Sequence, residues 1–255
     1  MTLETLLRLA LVPAAVWLAS LAQRRWGHSV SGYLGGMPMI GGPITLFLAL
    51  DLGSAFAARS ALFTLVAVMA QAAHLTTLAH IGQRRGWLAA LVGGWTAFAV
   101  VALGVSFLPV VPWQALLLAA AGLAAAWWWM PSTTGEVPLP SIPPMELRLR
   151  LLAAFALAGL ILWSAPVFGP VVSGILLSLP ITGSIMPPFT LALYGPKALI
   201  RLTRGYVVGL SGFTAFFFVV AVALVPLGAL TAFILSVVAA IASVVAVSRL
   251  VATAS

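Results

Sequence analysis

The stretch SGYLGGMPMIGGPITLFLALDLG, residues 31–53, is long and apolar enough to cross a bilayer, yet glycine and proline crowd its first half. Proline lacks an amide hydrogen and disturbs the carbonyl one turn earlier, while glycine lowers the free energy needed to leave helical geometry. The stretch therefore predicts two half-helices that meet at an unwound segment. The residues expected there are Pro38, Gly41, Gly42 and Pro43.

A second copy of this pattern follows as SGILLSLPITGSIMPPFTLALYG, residues 173–195. Shifting the sequence by 142 positions aligns the two stretches without a gap and also places Arg59 on Arg201. Identities at glycine, proline and arginine are informative in an apolar sequence, so this register predicts an internal repeat. The residues expected at the second break are Pro180, Gly183, Pro187 and Pro188.

Composition restricts the class of protein. Of 255 residues, 63% are hydrophobic and 6% are charged, which is too little charge to cover a soluble domain. The net charge of +8 does not indicate a nucleic-acid partner, because the basic residues occur singly or in pairs between apolar runs. The absence of cysteine excludes disulfides and thiol chemistry. We expect an all-α polytopic membrane protein with membrane lipid as its partner.

Nine transmembrane helices are predicted, with the second and seventh broken. They cover 5–22, 31–53, 58–81, 87–108, 111–130, 147–166, 171–194, 199–224 and 228–250. The predicted organisation is a four-helix repeat in 1–110, a connector helix with a proline-rich linker in 111–146, and a second four-helix repeat in 147–255. The linker carboxylates, Glu136 and Glu146, are expected to be solvated. An odd number of spans precedes the second repeat, so that repeat is inverted.

Positive charge predicts the orientation. Ten of the twelve Lys and Arg fall on alternate connections, and the opposite side receives only Arg8 and Arg59. The charged side is expected in the cytoplasm of a bacterial inner membrane, with the N-terminus outside and the C-terminus inside. Arg59 and its counterpart Arg201 then lie on opposite sides of the membrane.

Two interrupted helices at matching places are typical of a transport site at the bilayer midplane. The positive end of a half-helix favours an anionic group, and four hydroxyls lie nearby, those of Thr45, Thr182, Ser184 and Thr190. The alternative is that glycine and proline serve close packing or simple kinks, as they often do in membrane helices.

The third span carries the remaining intramembrane polar candidates. Gln71 and His74 share one helical face, so His74 could carry a coupling proton or bind an anion, or could simply hydrogen-bond between helices. Asp51 and Arg59 could form a gate-like ion pair, or Asp51 could be a solvated helix end. His80 lies on a different face from His74, so no metal site is predicted. No catalytic motif or cofactor signature occurs, so an enzyme is not expected.

The motif S-G-x-L-x-x-x-P, seen at Ser31, Gly32, Leu34 and Pro38 and followed by a glycine-rich break and an apolar helix, resembles the small bacterial GlpM-like membrane proteins. The resemblance covers about four spans in each copy. It implies an architecture of two such units fused in opposite orientation, and it implies no catalytic residues.

These observations favour a secondary transporter that moves a small organic solute, more anionic than cationic in character, by alternating access between the broken helices. A lipid-handling protein or passive channel of the same symmetry is the first alternative, and a structural membrane subunit is the second. A homodimer is left open.

Overall fold

A computed structural model describes residues 27–135, 137 and 143–253, together with Pro13, Ala14 and Trp17. The described residues form helices and no strand. Eight helices follow one another: α1 Gly27–Gly36, α2 Gly41–Leu52, α3 Ser54–Val66, α4 Val68–Gly82, α5 Trp87–Ser106, α6 Pro112–Trp129, α7 Pro144–Leu177 and α8 Ile181–Thr253.

These helices combine into five long helical units in the described residues, rather than the nine predicted transmembrane helices. The units are α1–α2, α3–α4, α5, α6 and the run formed by α7 and α8. Four stretches are long and apolar enough to cross a membrane, namely Gly27–Leu52, Ser54–Gly82, Trp87–Ser106 and Pro144–Thr253. The predicted span 5–22 falls outside the described residues apart from Pro13, Ala14 and Trp17. The all-helical, membrane-protein prediction is confirmed, and the count of nine is not.

The lower count follows from how successive segments are joined. Inside α7 and α8 the backbone leaves helical geometry at single glycines, without an intervening loop: Gly169 has φ 74°, Gly195 has φ 79° and Gly228 has φ 76°. Positive φ is accessible to glycine without the steric penalty of a Cβ. Gly27, with φ 75°, and Gly53, with φ 89°, adopt similar geometry. They precede Gly169 and Gly195 by the same 142 positions.

Both predicted interruptions occur. Helical geometry stops between α1 and α2 at residues 37–40, and between α7 and α8 at residues 178–180. The amide of Met39 donates to the carbonyl of Met37 at 2.8 Å, and the amide of Ile181 donates to the carbonyl of Leu179, also at 2.8 Å. These two hydrogen bonds occupy positions 142 residues apart, so the breaks share one local geometry.

Three of the prolines expected to unwind the chain lie within helices instead. Pro43 is the third residue of α2, where an amide hydrogen is not needed for a helical bond. Pro187 and Pro188 lie further inside α8. At Pro187 the helix persists because a neighbouring helix supplies a hydrogen-bond donor, described below.

Each interrupted helix packs against a helix from the other half of the chain. A methyl group added to Gly32 in α1 would overlap the carbonyl oxygen of Leu202 in α8. One added to Gly174 in α7 would overlap the carbonyl oxygen of Ser60 in α3. Glycine therefore allows both backbones to approach closely, as at other membrane helix interfaces. The two contacts again differ by 142 positions.

The outer surface is strongly apolar. Large side chains that would be buried in a soluble protein are exposed, including Trp128 at 86%, Leu230 at 78% and Trp163 at 73%. The best-buried side chains, such as Phe217, Ile44 and Leu65, lie between the helices. This distribution fits a protein surrounded by lipid.

Candidate functional site

A small polar cavity, the central cavity, lies between the two helix interruptions. Ile40 and Gly41 contribute from the first break, and Pro180 and Thr182 contribute from the second. The cavity has a volume of about 30 Å³. The sequence predicted that the two breaks would meet, and the described residues do bring them together around this space.

Tyr206 of α8 forms one wall of the cavity and is only 4% exposed. Its ring packs on the Cα of Gly35, and its hydroxyl interacts with the Thr182 side chain and the Gly183 backbone. A buried tyrosine hydroxyl normally finds a hydrogen-bond partner, and here the partner belongs to the broken helix. Tyr206 thus connects α1 to the start of α8.

Gln71 of α4 supplies the other polar side chain. It lines the same cavity and is 4% exposed. Gln71, Thr182 and Tyr206 together offer a carboxamide and two hydroxyls, which both donate and accept hydrogen bonds. A polar space of this volume holds about one water molecule. An organic solute would fit only after the surrounding segments move apart.

His74, the second intramembrane candidate on α4, does not line the cavity. It is fully buried, and its Nε2 donates a hydrogen bond of 3.3 Å to the carbonyl oxygen of Gly183. That carbonyl would ordinarily receive the amide of residue 187, which is Pro187 and has no amide hydrogen. His74 therefore supplies the donor that the proline removes.

The other face of His74 is closed by α5. Nδ1 lies against the backbone of Gly94, and the Trp95 ring meets the imidazole edge-on with centroids 6.0 Å apart. The His74 side chain is fully buried between α4, α5 and α8. This geometry favours the structural interpretation of His74 over the ligand-binding one.

The predicted hydroxyls divide between the cavity and the protein interior. Thr182 reaches the cavity, whereas the Thr45 hydroxyl donates to the carbonyl of Gly41 in its own helix at 2.7 Å. Thr190 is buried without lining this cavity. The Ser184 hydroxyl is buried and makes no hydrogen bond within the described chain. Only part of the predicted hydroxyl set therefore converges.

Three residues predicted for the first break face elsewhere. Pro38, Gly42 and Pro43 line a separate apolar groove of about 650 Å³. Its opposite wall is the last part of α8, where Phe233 and Ile241 contribute. All the lining residues of this groove are apolar, so it suits hydrocarbon rather than a charged solute.

Glu146 is not solvated as the sequence suggested. Glu146 is 4% exposed and Arg150 is 3% exposed, and the Arg150 guanidinium donates to the Glu146 carboxylate one helical turn away. The i,i+4 spacing on α7 brings the pair together, and packing of α7 against the bundle buries it. Arg150 also interacts electrostatically with Tyr206. The pair thus places ionic groups close to the central cavity.

The predicted gate pair does not form. Asp51 and Arg59 are both exposed, and among the described residues the salt bridge is between Arg150 and Glu146. Gly53 separates the helices that carry Asp51 and Arg59, and its positive φ sets their relative direction. No described cluster of His, Asp or Glu could hold a metal ion.

Sequence reasoning missed Tyr206, Glu146 and Arg150. One signal for Tyr206 was available, because a tyrosine within an apolar span usually has a buried partner for its hydroxyl. Comparison of the chain with family models, with curated proteins and with solved structures finds no match. The assignment of function therefore depends on the geometry of the described residues.

Proposed function

We propose that this protein is a secondary transporter for a small organic anion, working by alternating access between its two interrupted helices. The observation that carries the proposal is the meeting of both breaks at one polar cavity, bordered by Gly41, Gln71, Pro180, Thr182 and Tyr206. Non-helical backbone at membrane depth is tolerated where it is buried in protein or lines a cavity. Paired discontinuous helices are a recurrent architecture of transporter sites.

The proposal includes a location in the bacterial inner membrane and an inverted repeat. Positive-φ glycines subdivide α7 and α8 at Gly169, Gly195 and Gly228, leaving pieces compatible with several crossings. The matched contacts of Gly32 with Leu202 and of Gly174 with Ser60 support a two-fold relation between the halves. Inverted halves give two alternative arrangements of similar stability, as alternating access requires.

The state described is closed at the centre. A volume of about 30 Å³ excludes an organic solute, so loading requires the α1–α2 break and the α7–α8 break to separate. Glycine contacts between backbones allow helices to slide without repacking large side chains. Tyr206 and Thr182 would then exchange their mutual interaction for hydrogen bonds to the solute.

An anionic substrate is favoured by two features of the centre. The described membrane segments contain one buried carboxylate, Glu146, and it is already paired with Arg150. The first turn of α8, beginning at Ile181, presents amide groups next to the cavity. His74 is occupied by Gly183, so the proposal does not place a coupling proton on it.

The test is substrate counterflow in proteoliposomes that contain the purified full chain. Vesicles loaded with each member of a panel of small carboxylates and phosphate esters should accumulate the matching labelled compound for at least one member. A panel that includes cationic and neutral solutes provides the control for selectivity. Absence of counterflow for every compound, in vesicles where the protein is folded, would overturn the proposal.

A lipid-handling protein is the second candidate because of the apolar groove beside the first break. The groove measures about 650 Å³ and runs between Pro38 and the last part of α8. Such a groove would give an acyl chain lateral access to the break. Scrambling of a fluorescent phospholipid in the same vesicles, blocked by Leu46→Trp in the groove wall but not by Leu103→Trp on the exposed face of α5, would favour this function over solute transport.

A further inference from the structure

A second polar cavity lies away from the two breaks, at the end of the bundle where α6 meets the middle of α8. Its volume is about 520 Å³. Arg201 and Arg204 line it together with hydroxyl side chains, among them Ser132, Thr133 and Thr134. The cavity thus combines cationic groups with neutral hydrogen-bond donors.

Neutral groups fix both arginines in place. Arg204 Nη1 donates to the carbonyl oxygens of Met130 at 3.1 Å and Pro131 at 3.3 Å, and its guanidinium carbon lies 3.8 Å above the centre of the Trp127 ring. Arg201 Nη2 donates to the carbonyl oxygen of Gly135. These contacts orient the side chains without neutralising their charge.

Neither arginine has an anionic partner in the part of the chain that the structure describes. The salt bridge found there is that of Glu146 and Arg150. Arg204 Nη2 and Arg201 Nη1 make no hydrogen bond to another described residue. Two half-buried positive charges therefore face the same cavity with donors available for an anion.

The polar cavity continues into an apolar one. The second space measures about 390 Å³ and shares Trp127, Val208 and Val251 with the first. From Arg204 to Ala215, both lining residues of α8, the helix advances about 16 Å at a rise of 1.5 Å per residue. The hydrocarbon core of a bilayer is about 30 Å thick, so this depth corresponds to about one leaflet.

We propose that these joined cavities bind one anionic phospholipid, with its phosphate on Arg201 and Arg204 and one acyl chain in the apolar cavity. Guanidinium groups pair with phosphate through directed hydrogen bonds, and basic pockets between membrane helices bind anionic headgroups. A soluble phosphate compound would leave the leaflet-deep apolar space unfilled. This site does not depend on the transport proposal, since none of its lining residues lines the central cavity, although α8 contributes different residues to both.

The test uses the purified full chain in a neutral detergent. Phosphatidylglycerol is titrated against phosphatidylcholine with the same acyl chains, and bound lipid is counted by native mass spectrometry. The wild type is expected to retain one phosphatidylglycerol preferentially. The double variant Arg201→Gln/Arg204→Gln should bind phosphatidylglycerol at least about tenfold more weakly. The loss of a single charge-assisted hydrogen bond already has an effect of this size.

Two further variants keep the proposal falsifiable. Arg59→Gln removes an exposed arginine outside both cavities and should leave lipid retention unchanged. Ala215→Trp fills the apolar cavity while leaving both arginines intact, and should weaken retention even if the double arginine variant fails to fold. Inorganic phosphate at the same concentration should not compete. Equal retention of both lipids, full competition by phosphate, or no effect of Ala215→Trp would each overturn the proposal.

Discussion

His74 Nε2 lies 3.3 Å from the carbonyl oxygen of Gly183, the carbonyl that Pro187 leaves without its helical donor. A side chain from α4 thereby completes the backbone hydrogen bonding of α8, 109 residues away. In a membrane the donor from His74 matters because no water is available to hydrogen-bond to the Gly183 carbonyl. The interaction explains how α8 continues through Pro187 instead of unwinding there.

Replacing His74 should therefore be more harmful when Pro187 is present. His74→Leu leaves the Gly183 carbonyl without a donor, at a cost of about 1–3 kcal/mol. Pro187→Ala restores an amide hydrogen that can reach this carbonyl. We expect the fall in melting temperature caused by His74→Leu, measured in detergent, to be smaller in the Pro187→Ala background than in the wild type.

Pro188→Ala is the matched control for this cycle. It restores an amide directed at Ser184, which His74 does not contact, so the effect of His74→Leu should be unchanged in that background. Equal effects of His74→Leu in the Pro187→Ala and Pro188→Ala backgrounds would show that the histidine does not substitute for the missing amide.

The paired glycine contacts should be equally intolerant of a methyl group. Gly32→Ala and Gly174→Ala each introduce a Cβ that overlaps a backbone carbonyl, so each should destabilise the protein by about 1–3 kcal/mol. Gly104→Ala on α5 meets nothing within 4 Å and should be neutral or stabilising by up to about 1 kcal/mol. Melting temperatures of the three variants provide the measurement, and a tolerated Gly174→Ala would contradict the close approach.

Loss of one member of the buried ion pair should destabilise the protein more than loss of both. Arg150→Met leaves the buried Glu146 carboxylate unpaired and should destabilise by about 3–5 kcal/mol. Adding Glu146→Leu to Arg150→Met should restore part of this stability, because no uncompensated charge remains. Arg148→Met, which alters an exposed arginine on the same helix, is the control. If the double variant Arg150→Met/Glu146→Leu is no more stable than Arg150→Met, the buried ion pair between these two residues is contradicted.

Tyr206→Phe tests the central cavity. The change removes one hydroxyl and keeps the ring that packs on Gly35, so the protein should fold. If the proposed transport occurs, counterflow should fall by about tenfold or more, because the Thr182 hydroxyl and the bound solute each lose a partner. Tyr194→Phe, away from the cavity, should transport normally. Equal rates for the two variants would remove Tyr206 from the solute path.

Local backbone features were predictable from the sequence, and tertiary packing was not. Both helix breaks were predicted because glycine and proline act on their own backbone and the carbonyl one turn away. The count of separate helices was wrong because Gly169, Gly195 and Gly228, which lie at predicted span boundaries, change the backbone direction without a loop, so that the successive pieces stay joined.

The site residues also divide into those predictable from local sequence and those that depend on tertiary packing. Thr182 was predicted as a hydroxyl beside the second break and Gln71 as a polar group within a membrane span, and both reach the cavity. Glu146 was expected in solvent because it follows a proline-rich linker, yet the packing of α7 buries it. His74 was left open between two roles, and the choice depended on Gly183, a residue far away in sequence. Such contacts follow from the packing of distant segments.

The proposed inverted repeat predicts that two residues in equivalent positions are exposed on opposite sides of the membrane. Ala55 and Lys197 are separated by the 142-residue shift, and both are exposed. The chain has no cysteine, so a single introduced cysteine is the one thiol in the protein that a maleimide can label. In intact cells, a membrane-impermeant maleimide should label Ala55→Cys, whereas Lys197→Cys should react only after the membrane is permeabilised.

The outcome separates three arrangements of the halves. Gln83→Cys, exposed at the end of α4 beside Arg84 and Arg85, marks the predicted cytoplasmic side and should behave like Lys197→Cys. Parallel halves would place Ala55 and Lys197 on the same side, giving both the same labelling. Labelling of Lys197→Cys and Gln83→Cys alone in intact cells would keep the inversion but reverse the orientation, against the arginine distribution. The first pattern, with Ala55→Cys alone accessible from outside, is the one that supports both the inversion of the halves and the orientation predicted from the arginine distribution.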